Sequence, residues 1–233
     1  MNDLTINKSG IVNDESSIMN DESLRRKDEN NQKSSSLLVH RSSLDIHRSS
    51  LNYKSVTLES EVRQILRLQK VNLAKNLDAA TIESQGFVTV EHKHKVLSDM
   101  NQKRGSIIAK DKNKLTGYAL VMLSDFRNDV PEIAPMFDLL DTIEYKNKPF
   151  NAYKSFAVGQ VCVAEPYRGQ GVFDGMYAEM KKQFSSEFDF TFTEIATRNT
   201  RSMRAHQRVG FKSVYNYTAE NGEEWNVVVW EWK

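Results

Sequence analysis

A run rich in β-branched residues ends at Val163, and a helical pattern begins near Gly171. Between them stand Arg168, Gly169, Gln170 and Gly171, followed by Val172 and Phe173. Two glycines at such a junction let backbone N–H groups face outward without obstruction by a Cβ. A helix N-terminus adds partial positive charge. Together these features suit a pyrophosphate, with Arg168 beside it. The competing use is a tight strand-to-helix turn that holds no ligand.

A second constellation follows the strand-like run Phe190–Ala196. Asn199, Met203, His206 and Gly210 recur three or four residues apart, so they share one helix face. Asn199 suits an N-cap and Gly210 a C-terminal stop. His206 is either a buried structural histidine or a proton donor. Its ordinary pKa of about 6.5 permits donation at neutral pH. Cys162, the one cysteine, falls on the strand face opposite Val161 and Val163 and has no basic sequence neighbour, so core packing is expected rather than nucleophilic chemistry. His92 and His94 have a metal pair's alternation but no third ligand candidate close in sequence, and no metal is expected.

The elements that must position these residues follow from periodicity. Val56–Leu58 reads as a short strand, and Glu59–Asn76 as an amphipathic helix with Val62, Ile65, Leu66, Leu68, Leu73 and Leu77 on its apolar stripe. A weaker helix is predicted over His92–Gln102. Ser106–Ala109 and Thr116–Leu123 form a hairpin around the polar turn 111–114. Residues 125–154 hold Pro131, Pro135 and Pro149 and read as a long loop with one short helix, Ala134–Leu140. Then come strand Phe156–Val163, helix Gly171–Phe184, strand Phe190–Ala196, helix Thr200–Val209, and strands Phe211–Tyr217 and Trp225–Trp232. This order predicts a mixed sheet with helices on both faces.

The chain has 233 residues, 39% hydrophobic and 27% charged, with a formal net charge of +1. Collagen-like and wholly disordered classes are excluded. A near-neutral chain has no bulk electrostatic reason to bind nucleic acid or an anionic membrane. The single cysteine fits a reducing, cytoplasmic setting. Residues 1–54 are serine- and asparagine-rich, with balanced charges and the small repeat His40–Leu44, His47–Leu51. This stretch is expected to be a disordered low-complexity tail, and residues 55–233 the globular domain. The aromatic last strand (Trp225, Trp230, Trp232) suits packing in the core or at a homodimer interface. Its acidic flanks argue against nucleic-acid stacking.

The two constellations together resemble the signature of the GCN5-related N-acetyltransferases. That family's turn reads Arg/Gln-x-x-Gly-x-Gly/Ala after a valine-rich strand, and here Arg168-Gly169-Gln170-Gly171-Val172-Phe173 stands there. Its later motif is an Asn, a small residue three on, a Tyr seven on, and then Gly-Phe. Here these are Asn199, Ser202, His206 and Gly210-Phe211. The resemblance covers residues 55–233, with its specific motifs between about 158 and 215. Phe173 in place of a small residue and His206 in place of Tyr are departures from it.

The resemblance implies an α/β (α+β) fold: a mixed, mostly antiparallel twisted sheet of six to seven strands with helices on both faces, splayed between the fourth and fifth strands. It implies acetyl-CoA as co-substrate, with the pantetheine arm along the backbone of Val161 and Val163. The pyrophosphate would lie on Arg168, Gly169, Gln170, Gly171, Val172 and Phe173, with Asn199 and Ser202 completing the cofactor site. A neutral primary amine, from a small molecule or a peptide, would attack the thioester directly, and a backbone N–H near Val161 would stabilise the oxyanion. His206 would take the family Tyr's place as general acid. Glu194 is the first candidate base, with Glu144 and Tyr153 as alternatives. The acidic lean of loop 125–154 points to a cationic acceptor such as a polyamine, an aminoglycoside or a lysine side chain. Two rivals stand beside this reading. One is a non-catalytic acyl-CoA-binding module on the same fold. The other is a dinucleotide oxidoreductase that uses Gly169, Gly171 and Gly175 as its glycine turn and Glu194 as its ribose acid.

Overall fold

The computed structural model describes residues 51–85 and 87–233. The tail expected over residues 1–54 lies outside these as far as residue 50. Its last four positions instead begin strand β1 (Leu51–Ser55), and Val56–Leu58 is not a strand. Helices α1 (Glu59–Asn72), α2 (Ala79–Gln85) and α3 (His94–Lys103) follow. Next come β2 (Ile107–Asp111), β3 (Lys114–Met122) and α4 (Ala134–Leu140). A two-residue hairpin, β4 (Glu144–Tyr145) and β5 (Lys148–Pro149), precedes β6 (Ser155–Val163). The chain ends with α5 (Val172–Phe184), β7 (Phe190–Ala196), α6 (Thr200–Val209), β8 (Lys212–Thr218) and β9 (Glu224–Glu231).

Seven strands form one sheet in the order β1-β2-β3-β6-β7-β9-β8. Each adjacent pair is antiparallel except β6–β7, which is parallel. Helix α1 packs on β3 and β6 and α3 on β3 from one face, while α5 covers β1, β2, β3 and β6 from the other, with α6 alongside it. The strands alternate accordingly. Tyr118, Leu120, Phe190, Phe192 and Val227 enter the layer beneath α1 and α3 with Ile65 and Leu97. Phe156, Val158, Ile195 and Val228 meet Met176, Tyr177 and Met180 of α5 on the other side.

Three local features depart from the periodicity. Helix α1 stops at Asn72 because Leu73 turns extended (ψ 136°). Its neighbours then pair with an incoming segment, Val88 N–H donating to the Asn72 carbonyl and Ala74 N–H to the Val88 carbonyl, each at 3.0 Å. The helix predicted from His92 starts at His94, because His92 is drawn into the core. Gly175, the third glycine of the dinucleotide reading, has a packing role: a side chain there would overlap the Tyr53 ring, so its absence lets α5 lie against β1.

The entrance to α1 is fixed by a buried carboxylate. Glu61 is 1% exposed and accepts from Lys54 (2.9 Å), Lys110 (3.1 Å) and the backbone N–H groups of Thr57 (3.0 Å) and Leu58 (3.3 Å). It thereby ties β1, β2 and the helix N-terminus together. Burial works to raise its pKa, but the Lys54 contact, the Thr57 N–H and Lys110 outweigh it and leave the carboxyl at about 2. A carboxyl depressed on folding stabilises fully above its unfolded value of 4.5, and loses that contribution as pH falls towards about 2. Glu61→Gln is therefore expected to cost about 3 kcal/mol at pH 7. The difference from the parent should shrink across the acid range, as read by urea unfolding at several pH values. A deficit that stays constant from pH 7 down to pH 2.5 would contradict this assignment.

Candidate functional site

The parallel ladder between β6 and β7 lasts only from Ser155–Phe190 to Ala157–Phe192. Beyond it the strands part. The register of β6 against β3 shifts here, with Leu120 opposite Gln160 and Val121 opposite Val158, so Gly159 is bulged out. A bulge adds local twist and bends the strand. Further along, Ala164 N–H donates to the Thr116 carbonyl at 2.8 Å. Bonding alternates along an antiparallel ladder. The N–H groups of Cys162 and Gln160 therefore face β3, and those of Val161 and Val163 face the gap.

Two contiguous cavities, of about 120 Å³ and about 90 Å³, fill this gap and share Phe87, Val88, Val161, Asn199 and Ser202. The first ends at Arg168 and Arg201, the second at Gln160, Thr193 and Glu194. The slot thus runs from a basic mouth to an acidic end.

The turn after β6 forms the mouth. Gly169 (φ 73°) and Gly171 (φ 79°) are both left-handed, and Gly171 is the N-cap of α5. A Cβ at Gly169 would meet nothing within 4 Å, so the space before the turn is open. Arg168 folds back: its Nε donates to the Val163 carbonyl (3.1 Å) and its guanidinium to Asn72 Oδ1 (2.7 Å). Gln85 Oε1 accepts from both Arg168 (3.3 Å) and Arg201 (2.6 Å). Burial and then the nearby Arg168 lower the Arg201 pKa. Gln85 Oε1 thus joins the two guanidinium groups at the mouth. The Gln170 side chain bonds the Pro166 carbonyl at 2.7 Å, and Val172 is buried in the core. Phe173 does not block the turn. Its ring lies 4.8 Å from Tyr177 and 5.0 Å from His206, centroid to centroid.

Asn199 caps α6 by accepting from Ser202 N–H at 3.1 Å. His206 is 2% exposed. Its Nδ1 meets the Ser202 carbonyl at 2.9 Å and its Nε2 meets the Tyr177 hydroxyl at 2.8 Å. Nδ1 therefore carries the proton and donates it to a carbonyl, while Nε2 accepts from Tyr177. Burial pulls its pKa down to about 4. The general-acid role expected of His206 would have to draw on a ring whose charged form burial disfavours and whose Nδ1 already meets the Ser202 carbonyl.

At the acidic end, Glu194 accepts a short hydrogen bond from the Tyr217 hydroxyl of β8. Burial raises its carboxyl to about 7, and the Tyr217 bond only partly opposes this. Among the described residues no lysine or arginine pairs with it. Trp225, opposite Ala196 on β9, lines the same end. Glu144 and Tyr153, the alternative bases, lie elsewhere: Glu144 is on the β4–β5 hairpin and Tyr153 donates to the Tyr145 carbonyl at 2.8 Å. Cys162 touches the slot, but burial pushes its thiol up to about 12. It is a packed core residue, as the alternation implied.

Several participants carried no spacing signal. Asn72, Gln85, Phe87 and Val88 come from the α1–α3 segment, with Phe87 4.7 Å beneath the Arg198 guanidinium. A buried amide chain backs the slot. Gln160 Oε1 accepts from Tyr118 (2.6 Å) and Gln69 (2.8 Å), and its Nε2 donates to the Val90 carbonyl (2.9 Å). Gln69 also meets His92 Nδ1 at 3.0 Å. His94 pairs with Glu59, so the two histidines serve different contacts.

Free strand N–H groups, a left-handed glycine turn and paired arginines fit an extended acyl thioester with a phosphate end. The model of the acetyltransferase (GNAT) family matches residues 74–211, more than half of the chain. No curated protein sequence matches it. Among solved structures, the NatC complex bound to Gag peptide and CoA aligns with a TM-score of 0.53 at 13% identity, covering 78% of this chain and 98% of that one. The ribosomal-protein-S18-alanine N-acetyltransferase from Escherichia coli aligns with a TM-score of 0.50 at 10% identity, over 78% and 93% of the two chains. For yncA from Salmonella typhimurium, solved with its cofactor acetyl-CoA, the TM-score is 0.50 at 12% identity, over 79% and 95%. The structural likenesses bear on the fold, and the sequence model carries the kinship: the chain belongs to the GNAT acetyltransferase family.

Proposed function

We propose that the chain transfers an acetyl group from acetyl-CoA to a primary amine, by direct attack of the neutral amine on the thioester. The observation that carries this is the polarity of the slot. The gap-facing N–H groups of Val161 and Val163 lie between a basic mouth at Arg168 and Arg201 and a half-buried carboxyl, Glu194, at the other end. Acetyl-CoA supplies an activated acyl group. Val161 and Val163 offer donors to the amides of its arm and to the oxyanion. Arg168, Arg201 and the backbone from Gly169 to Phe173 receive its phosphates. Asn199 and Ser202 line the slot between these ends. The amine arrives as an ammonium with a pKa of about 10. Glu194 is anionic above about 7 and has no lysine or arginine partner among the described residues, so it attracts the ammonium and accepts its proton. The peptide bound to NatC extends the acceptor class to a peptide amine as well as a small molecule.

The engagement of both His206 ring nitrogens, by the Ser202 carbonyl and the Tyr177 hydroxyl, favours a second reading, a non-catalytic module that holds acyl-CoA. Thiol release from acetyl-CoA with a panel of polyamines, aminoglycosides and lysine peptides separates the two: turnover with any of them excludes the module. Calorimetric titration with acetyl-CoA, with NADH as control, tests the shared premise.

Two further outcomes are expected. First, kcat/KM should fall as pH drops through about 7, where Glu194 protonates. Tyr217→Phe removes a bond that favours the carboxylate and should move this limb to higher pH, while Glu194→Gln should lower kcat/KM by roughly 100-fold or more. A limb unmoved by Tyr217→Phe would count against Glu194. The same carboxyl has a stability signature of opposite sign to that of Glu61. Its pKa is raised from 4.5 on folding, so it destabilises progressively between about 4.5 and about 7. Glu194→Gln should therefore raise Tm at pH 8 and leave it little changed at pH 4.5. Second, His206→Phe should lower Tm yet reduce kcat/KM by less than about tenfold. A 100-fold loss at unchanged Tm would restore a proton-donor role.

A further inference from the structure

The splay has a floor. One residue beyond the last rung at Ala157–Phe192, the Thr193 hydroxyl donates to the Val158 carbonyl at 2.9 Å. This side-chain bond crosses the gap where the next backbone rung would stand. The acidic cavity is lined here by Gly159, Gln160, Thr193 and Glu194, and Thr193 is 9% exposed. Phe192 adjoins it, wedged edge-on between Phe137 (5.9 Å) and Phe150 (5.2 Å). A β-branched side chain with its hydroxyl engaged has one favoured rotamer, so its methyl group cannot swing aside. The wall at Thr193 is therefore held by its own side chain, and the strand beneath it by the packing of Phe192 on the opposite face.

The orientation of an acyl thioester in the slot follows from its two ends. Its anionic end belongs with Arg168 and Arg201, at the open side of the splay. Its carbonyl carbon belongs within reach of an amine held at Glu194. The remaining substituent of that carbon must then point towards the apex. We propose that Thr193, pinned to Val158, measures the acyl chain and restricts the protein to the shortest acyl groups. This rests on the acyltransferase reading of the same slot. A longer chain would have to displace a methyl group that has nowhere to go. One methylene in a fitted apolar pocket changes binding by about 10- to 200-fold.

The test is calorimetric binding of free CoA, acetyl-CoA, propionyl-CoA and butyryl-CoA, which needs no acceptor. The parent chain should show Kd rising by about tenfold or more from acetyl-CoA to butyryl-CoA. Thr193→Ala should reduce that rise to less than about threefold, and Thr193→Val, which keeps the bulk, should preserve it. Thr191 donates the same kind of bond to the Phe156 carbonyl at 2.9 Å, within the paired part of the sheet and away from the slot. Thr191→Ala should therefore leave the ratio as in the parent. A parent that binds butyryl-CoA as tightly as acetyl-CoA overturns the inference without any variant, and so does a folded Thr193→Ala with undiminished discrimination. If Thr193→Ala does not fold, the parent series and Thr193→Ser decide. Failure of every form to bind CoA or any thioester would overturn the acyltransferase reading itself.

Discussion

A parallel ladder that stops after Ala157–Phe192 leaves backbone groups of β6 and β7 in the middle of a sheet without partners. Buried N–H and C=O groups left unpaired cost free energy comparable to a lost hydrogen bond. Much of the surrounding architecture answers that cost. Thr193 supplies a hydroxyl to the Val158 carbonyl, and Arg168 supplies a guanidinium to the Val163 carbonyl. The bulge at Gly159 turns β6 away from its neighbour without breaking its pairing with β3. The N–H groups of Val161 and Val163, which face the gap rather than β3, are on the proposed reading the part that a bound amide chain would complete. An opening in a sheet is tolerated where a ligand has complementary backbone-like groups.

The second organising feature is the separation of charge along the opening. Arg168 and Arg201 share one amide oxygen at the mouth, whereas Glu194 holds a tyrosine hydroxyl at the far end. The two ends differ in cost: the arginines at the mouth are bridged and partly exposed, whereas at the other end a half-buried carboxyl has no lysine or arginine partner among the described residues. Stability elsewhere must offset this cost. The amide chain Gln69–Gln160–Tyr118 keeps the back of the slot rigid, and Glu61 anchors α1, the helix that presents Gln69 and Asn72. The site is thus backed by a frame in which Gln69, Gln160, Tyr118 and Glu61 are hydrogen-bonded to one another or to the backbone.

Much of this frame was legible in the sequence, for identifiable reasons. Strands β6 and β7 and helices α5 and α6 announce themselves by β-branched runs, apolar stripes and glycine or asparagine boundaries. Strand β1 was hidden because Leu51–Ser55 follows a serine-rich repeat and is only partly buried. Helix α2 is one short turn pair, too brief for a periodic signal, and the β4–β5 hairpin has two-residue strands. At the site, backbone contributions could be placed from the turn and strand pattern. Side-chain directions could not. Nothing in the spacing said that His206 would face Tyr177, that Tyr217, 23 residues downstream, would meet Glu194, or that Gln85 would reach two arginines. Those contacts depend on how separate elements stack, which a one-dimensional pattern does not encode.

The two departures from the family motif explain each other once packing is considered. A phenylalanine at 173 looks like an obstruction in the turn, and a histidine at 206 looks like a replaced acid. In the fold, both residues border the slot, Phe173 at its mouth and His206 at its acidic part, while their rings meet each other in the layer between α5 and α6. Phe173 and His206 meet nearly perpendicular (88°) at 5.0 Å, and Tyr177, Phe211 and Trp230 extend the cluster. Aromatic rings meeting edge to face gain modestly beyond burial alone, and Tyr177 supplies the donor that a buried neutral imidazole requires. Changing either motif residue therefore alters the interior between two helices as well as the border of the slot. The slot depends chiefly on backbone groups of β6 and the turn. On the proposed reading, Glu194 and Thr193, which no motif marks, bear on what is transferred and to what, while Phe173 and His206 shape the slot from the aromatic cluster at its border.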